Sequence, residues 1–388
     1  VIVSSQGSTA DSALRDRRGA MQAAASDLPD GAAIHLDFYD RERIASWVRG
    51  YPGVGLWLRE RIGEPLSGWR GYANWAFGDP TDSEYLLDDT GRIVSRQSGS
   101  HEPMTAEQGI AAMRAILTRP GGIIRLVGLS GVGKTRLVQA LFDNRVGADA
   151  LDSAIVAYTD QSHEPNPSAR EMLHRLGTSG LRAIIIVDNC NPDTHRVLAQ
   201  IVKTHASTLS LITVEYDVAE DEPEETQVFE LEPASEKVLE EILKRMTPHV
   251  SLADRNRIAE FSGGNARVAL ALAKTISNHE GLGSLNDAGL FKRLFHQRQE
   301  SDKNLLRAAE VCSLVYSFDG ETLKGDAAEL PILAELANLS ANELYRYVGE
   351  LRARDLVQRR SRWRAVLPHA IANRLAHQAL DRIPTNLI

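Results

Sequence analysis

Gly128-Leu129-Ser130-Gly131-Val132-Gly133-Lys134-Thr135 satisfies the pattern G-x-x-x-x-G-K-[ST] at every fixed position. Its flanks behave as that pattern requires. The apolar run Ile123–Val127 reads as a strand feeding the loop, and Leu137, Val138, Leu141 and Phe142 share one face of a helix leaving it. Glycines let successive backbone N–H groups point inward, and the helix N-terminus adds free donors and a positive dipole end, so the stretch can cradle a polyphosphate. Gly128, Ser130, Gly131, Val132, Gly133, Lys134, Thr135 and Arg136 are therefore the candidate nucleotide contacts. Lys134 would place its ammonium on the β- and γ-phosphates, and the Thr135 hydroxyl would enter a magnesium shell.

Some fifty residues on, Ala183-Ile184-Ile185-Ile186-Val187-Asp188 is a buried-type strand ending in a carboxylate. At this distance behind a phosphate loop it reads as a Walker B strand, with Asp188 the magnesium residue. Asn189 follows where many hydrolysing proteins carry an acid, and an amide cannot accept a proton from water, so fast turnover is not expected. Glu215, at the end of the strand Leu211-Ile212-Thr213-Val214, is a candidate to orient water, and Thr213 a candidate γ-phosphate sensor.

Strand signals recur at Ile123–Val127, Ala154–Tyr158, Ala183–Val187, Leu209–Val214 and Gln227–Leu231, with helix-length stretches between the first four. That rhythm predicts an α/β fold: a parallel sheet with crossover helices over 104–232. Thr105 with Gln108 three residues on is a helix start, and Pro120-Gly121-Gly122 a stop. Residues 233–300 read as a helical lid. Residues 301–388 read as three helices, a β-prone hairpin from Leu356 to Val366 and a last helix from about Ala370, the outline of a winged helix. Residues 1–78 look like a small α/β segment: a helix from about Thr9 to Ala25, a strand Ala33–Phe38, then amphipathic residues from Arg41. Residues 79–103, rich in Gly, Pro, Asp and Ser around a hairpin at Asp89-Thr90-Gly91, read as a linker.

With 388 residues, 43% apolar and 25% charged, the chain has the composition of a folded globular protein and length for two or three domains. No apolar run approaches the ~18 residues of a spanning helix, so no membrane partner is expected. Cys190 and Cys312 alone cannot build a disulfide framework or a four-thiolate zinc site, and a reducing cytoplasm is the simplest home. A net charge of −8 opposes attraction of the whole protein to nucleic acid. The chain opens on Val1 within a strand-like run, which suggests a piece of something longer.

The Walker pair, the segment Phe261-Ser262-Gly263-Gly264-Asn265-Ala266-Arg267 and the trailing winged-helix pattern together resemble the STAND class of P-loop NTPases, over about residues 105–381. Members usually carry Gly-x-Pro where this chain has Gly264-Asn265-Ala266. The resemblance implies ATP and ADP as ligands with Mg2+, and Arg267 as a candidate phosphate sensor. It also implies a histidine of the winged helix on the β-phosphate of ADP, here His369 in Leu367-Pro368-His369-Ala370. Further implications are assembly into a homo-oligomer when ATP replaces ADP, and a trigger protein bound outside residues 1–388. Asp37-Phe38-Tyr39-Asp40-Arg41, Trp47-Val48, Tyr51-Pro52 and Gly68-Trp69 resemble the region after a restriction-endonuclease-like core in bacterial anti-phage STAND proteins. No E-x-K metal triad is evident there, so a nuclease centre acting on DNA would precede Val1.

Arg352, Arg354, Arg359, Arg360, Arg362 and Arg364 stand against one acid, Asp355. Such a run suits DNA phosphates, which gives the alternative of an ATP-controlled DNA-binding protein. It equally suits a solvated face, or pairing with acids such as Glu220, Asp221, Glu222, Glu224 and Glu225. A metabolic kinase would share the phosphate loop but not the downstream units. Trp47, Trp57, Trp69 and Trp75 read as core, and His163, His174 and His195 lack metal-ligand spacing.

Overall fold

The computed structural model describes residues 2–3, 10–77, 85–87, 90–96, 103–215, 226–276, 290, 303–325, 328–354, 356–360, 362–366 and 369–383. In chain order, β1 (Ile2–Val3), α1 (Asp11–Ser26), β2 (Phe38–Tyr39), α2 (Arg41–Arg49) and α3 (Pro52–Arg61) come first. β3 (Trp69–Gly71), α4 (Tyr72–Ala76), β4 (Ile93–Ser95), β5 (Pro103–Met104) and α5 (Ala106–Thr118) lead to the phosphate loop. The loop lies between β6 (Ile123–Val127) and α6 (Lys134–Ala140). Then follow β7 (Val156–Asp160), α7 (Ala169–Ser179), β8 (Ala183–Asp188), α8 (Pro192–Thr204), β9 (Leu209–Val214) and β10 (Gln227–Leu231).

Eight strands form one sheet in the order β3-β7-β8-β9-β6-β10-β4-β5. The inner strands β7, β8, β9, β6 and β10 are parallel. Period-two alternation divides their side chains between two cores: Ile124, Leu126, Ile184, Ile186 and Ile212 on one face, Ile123, Ile185, Val187 and Leu211 on the other. Parallel strands covered on both faces favour apolar residues at most positions, which is why these runs are so rich in Ile, Leu and Val. β9 lies between the loop-bearing β6 and β8, so Asp188 ends one strand away from the strand that precedes Lys134. The capping box at α5 forms as expected, with Gln108 N–H donating to Thr105 Oγ1 and Thr105 N–H to Gln108 Oε1. From α5, Arg114 donates to the carbonyls of Ala140, Leu141, Asp143, Val146 and Ala148, satisfying the buried C-terminal end of the loop helix and the residues after it.

The sheet extends beyond the expected limits. β3, from the segment 1–78, pairs antiparallel with β7, and Tyr72 and Trp75 of α4 enter the same core as Leu126. β4, from the expected linker 79–103, pairs antiparallel with β10 and β5. Residues 69–71, 93–95 and 103–104 thus belong to the sheet that carries the loop. β4 and β5 are antiparallel neighbours, and of the hairpin expected at Asp89-Thr90-Gly91, residue 89 lies outside the described residues. The strand expected over 33–38 is only Phe38–Tyr39, preceded by a single 3-10 turn, Gly31–Ala33. Trp47 and Trp57 are not core: they are 51% and 36% exposed, against 3% for Trp69 and 9% for Trp75.

Behind β10 stand α9 (Glu236–Met246), α10 (Leu252–Ser262) and α11 (Ala266–Ala273). Helices Lys303–Cys312, Glu329–Leu336, Ala341–Ala353 and His369–Leu380 accompany an antiparallel sheet in the order β11 (Phe318–Asp319), β13 (Trp363–Val366), β12 (Val357–Arg360). The strand β11 has no counterpart in the sequence reading. Buried side chains from Leu239 to Leu375 form one continuous cluster, so the units expected over 233–300 and 301–388 share a core. Arg359 and Arg364 both bond Glu321, Arg362 lies 3.8 Å from Asp319, and Arg354 bonds Glu350. The acids beside the arginine run are therefore its own neighbours; residues 220–225 and 355 lie outside the described residues.

Candidate nucleotide-binding site

The loop occupies the C-terminal end of the parallel strands, where open α/β sheets take their ligands. Two of its glycines are required by backbone and space. Gly128 has φ +136, and a Cβ there would lie 2.4 Å from the Leu231 carbonyl oxygen; Gly131 has φ +85, and a Cβ would meet Asn265 Oδ1 at 2.5 Å. Lys134 Nζ donates to the carbonyls of Gly128 and Leu129 at 2.7 and 2.8 Å, which folds the ammonium back over its own loop. Thr135 Oγ1 donates to Asp188 Oδ2 at 3.0 Å, joining the two motifs.

Asp188 faces Asp160, its register neighbour at the end of β7. Burial first, then the Asp160 charge, hold the Asp188 carboxyl above the ordinary range, although Thr135, the Asn189 N–H and Lys134 favour its ionised form. Asn189, at φ +54, donates its backbone N–H to Asp188 Oδ1 and its Nδ2 to Asp160 Oδ1, both at 2.8 Å. The Tyr158 hydroxyl approaches Asp188 Oδ2 at 3.5 Å, and the Tyr158 ring stacks on Trp75 at 4.2 Å and 15°.

The lid closes on the loop through residues the motif does not contain. Asn265 caps α11, its Oδ1 accepting from Val268 N–H, while its Nδ2 donates to the Ser130 carbonyl at 2.7 Å. Ala266 N–H donates to the Gly131 carbonyl at 3.1 Å, and Arg267 Nη1 lies 3.4 Å from Ser130 Oγ. From β4, Arg92 donates to the carbonyls of Val132, Glu232 and Pro233, tying loop, sheet and lid entry together. Arg136 bonds Gln139 and lies 4.0 Å over the Tyr85 ring. The phosphate loop, Asp160, Asp188 and Arg267 border one cavity; beside it a mainly apolar cavity of about 860 Å³ is walled by Ile93, Ile110, Val132, Leu231, Val238 and Ile242.

Lys134, Thr135, Asp188 and Arg267 are thus gathered at one place. Glu215 borders the same cavity but is held there by Arg125. Arg125 Nη2 and Nε donate to its Oε2 at 2.9 and 3.3 Å, and the pair's side chains are 1% and 2% exposed, so this carboxylate is committed to an ion pair. Thr213, by contrast, is bonded at 2.7 Å to His195 Nδ1, whose other nitrogen meets Thr226. His369 begins the last helix, and its side chain lies outside the described residues. Asn265, Asp160 and Tyr158 were missed in the sequence. A signal existed for Asp160, because Val156-Ala157-Tyr158-Thr159-Asp160 is a second apolar-rich strand ending in a carboxylate.

A hydroxyl and a carboxylate oxygen in contact suit a hard cation. Among the described residues no group of three or more His, Cys, Asp or Glu could hold a metal. Two protein oxygens, with phosphates and waters completing the shell, fit magnesium. Magnesium when bound would supply charge neutralisation at the phosphates. Since folding raises the pKa of Asp188, its stabilising contribution is full below the unfolded value and is lost as pH rises through the folded one. Asp188→Asn is therefore expected to raise the melting temperature of nucleotide-free protein at neutral pH, to narrow its gain on acidification, and to abolish the magnesium dependence of nucleotide binding. Thermal melts across pH and titrations with and without magnesium check this.

Among the described residues no helix is long and apolar enough to cross a membrane. No protein-family profile matches the chain, and no curated protein sequence does. Among solved structures it is similar to a signal transduction ATPase with numerous domains bearing a tetratricopeptide repeat sensor, from Pyrococcus horikoshii, at 11% identity and a TM-score of 0.37, covering 69% of this chain and 42% of that one. It is also similar to a Walker-type ATPase of Pyrococcus abyssi, at 12% identity and a TM-score of 0.35, covering 74% and 99%. The Trip13 protein of Rhizobiales follows at 14% identity and a TM-score of 0.30, covering 49% and 78%.

Proposed function

We propose that the chain is an adenine-nucleotide switch of the STAND type, holding ADP in a closed form and passing with ATP and Mg2+ to an open form that assembles with its own copies. The observation that carries this reading is the Thr135–Asp188 hydrogen bond, which unites loop and strand end into one cation-ready pair. The apolar cavity beside Val132 has the size and character for a purine base, with the phosphates reaching Lys134. Turnover is slow in this reading, because Asn189 is an amide and Glu215 is bound to Arg125. His369 contacts the β-phosphate of ADP in the closed form.

A near-complete switch requires about 5.5 kcal/mol of preference for one form, so a trigger protein bound by sequence outside residues 1–388 shares the work with nucleotide. Anti-phage defence, with a nuclease region acting on DNA ahead of Val1, is the biological setting we propose. DNA binding by the arginine run is less favoured, since Arg359 and Arg364 are engaged by Glu321. Calorimetry with ADP and with ATP, with and without magnesium, followed by mass measurement in each state, tests the switch. Absence of affinity for every nucleotide would end it. His369→Ala is expected to weaken ADP binding more than ATP binding, and equal losses would remove the proposed lock.

A further inference from the structure

Asn189 meets two parts of the molecule at once. Its two N–H groups serve two carboxylates, the backbone one Asp188 and the side-chain one Asp160, while its Oδ1 accepts from Gln358 Nε2 at 2.7 Å. The amide orientation follows from chemistry, because an ionised carboxylate only accepts and must face the NH2 end. Gln358 lies in the middle of β12, and β12 also packs on the 3-10 turn Gln161–His163 that follows Asp160. The left-handed backbone at residue 189 places this side chain directly after Asp188, so what changes at Asp188 reaches it through one peptide unit.

Asp160 and Asp188 end neighbouring parallel strands, and their like charges are offset by the donors Asn189 supplies. A divalent cation near Asp188 would meet the same need by attraction to both carboxylates. The donors of Asn189 and the cation therefore compete for the same two carboxylates, although Asn189 takes Oδ1 of Asp188 and Thr135 takes its Oδ2. Resting on the nucleotide reading above, we infer that Asn189 and Gln358 form a latch: the C-terminal sheet is held to the Walker B end while Asn189 bridges the two aspartates, and magnesium with nucleotide releases it. The coupling needs only a difference in affinity between latched and unlatched forms, and it acts equally in both directions.

Reciprocity sets the test on the full chain. Gln358→Ala is expected to tighten binding of ATP with magnesium by about two- to tenfold, the range one net hydrogen bond allows. The shift should be absent with ATP in chelator, and absent when Asn189→Ala is already present, as a double-mutant cycle requires of a shared contact. In the unaltered protein, amide exchange over 357–360 should quicken with magnesium and ATP but not with ATP in chelator. An equal shift with and without magnesium, or one that persists beside Asn189→Ala, would overturn the latch and leave the nucleotide switch standing. A wild-type chain that binds no nucleotide would remove both.

Discussion

Lys134→Ala lowers the affinity for ADP and ATP by about 100-fold or more, since charge-assisted hydrogen bonds to phosphate carry roughly 1.5–3 kcal/mol each and the ammonium would make more than one. The same variant stays folded. Nζ donates to the carbonyls of Gly128 and Leu129, and both belong to the loop that borders the phosphate cavity, where water can replace the lost donor. The loop keeps its shape through other contacts: Asn265 on the Ser130 carbonyl, Ala266 on the Gly131 carbonyl and Arg92 on the Val132 carbonyl. Calorimetric titration beside a thermal melt separates the two effects. Unchanged nucleotide affinity in this variant would remove the assignment of the loop. A large drop in melting temperature would mean that the ammonium serves the lid more than the ligand.

The inner sheet was legible because each of its strands is buried on both faces and so is mainly apolar: Ile123–Val127, Ala183–Val187 and Leu209–Val214 depart from this at Arg125, Ser210 and Thr213, whose side chains are bonded inside the protein. Lys134, Thr135 and Asp188 were legible for a different reason. Phosphate and magnesium chemistry fixes their types and their places relative to strand ends. The edge strands β3, β4 and β5 were not legible, since two or three residues carry no periodicity and their pairing partners are distant in sequence. The exposure of Trp47 and Trp57 was hidden likewise, because an amphipathic spacing does not say whether anything covers the face. Asn265 stood in plain view as a departure from Gly-x-Pro. Its grip on Ser130, across 135 residues, exists only once lid and loop meet.

The Arg125–Glu215 ion pair was hidden in the sequence in the same way, and it makes the largest stability prediction here. Arg125 comes from β6 and Glu215 follows β9, and the Glu215 N–H bonds the Leu126 carbonyl, so register alone brings the two side chains together inside the sheet. Removing one partner leaves the other charge buried without its counterion. Arg125→Met is expected to destabilise the chain by about 3–5 kcal/mol, whereas Arg125→Met with Glu215→Leu recovers most of the loss, since paired apolar residues of similar volume replace buried ion pairs at little cost. Denaturant midpoints of the two single variants and the double variant read this directly, with the slope checked for constancy. If Glu215 instead served an attacking water, Glu215→Leu would abolish turnover without depending on Arg125, and the double variant would be no more stable than either single one. The burial of both side chains favours the first outcome: the carboxylate borders the phosphate cavity, yet its charge is matched by a guanidinium packed among the strands.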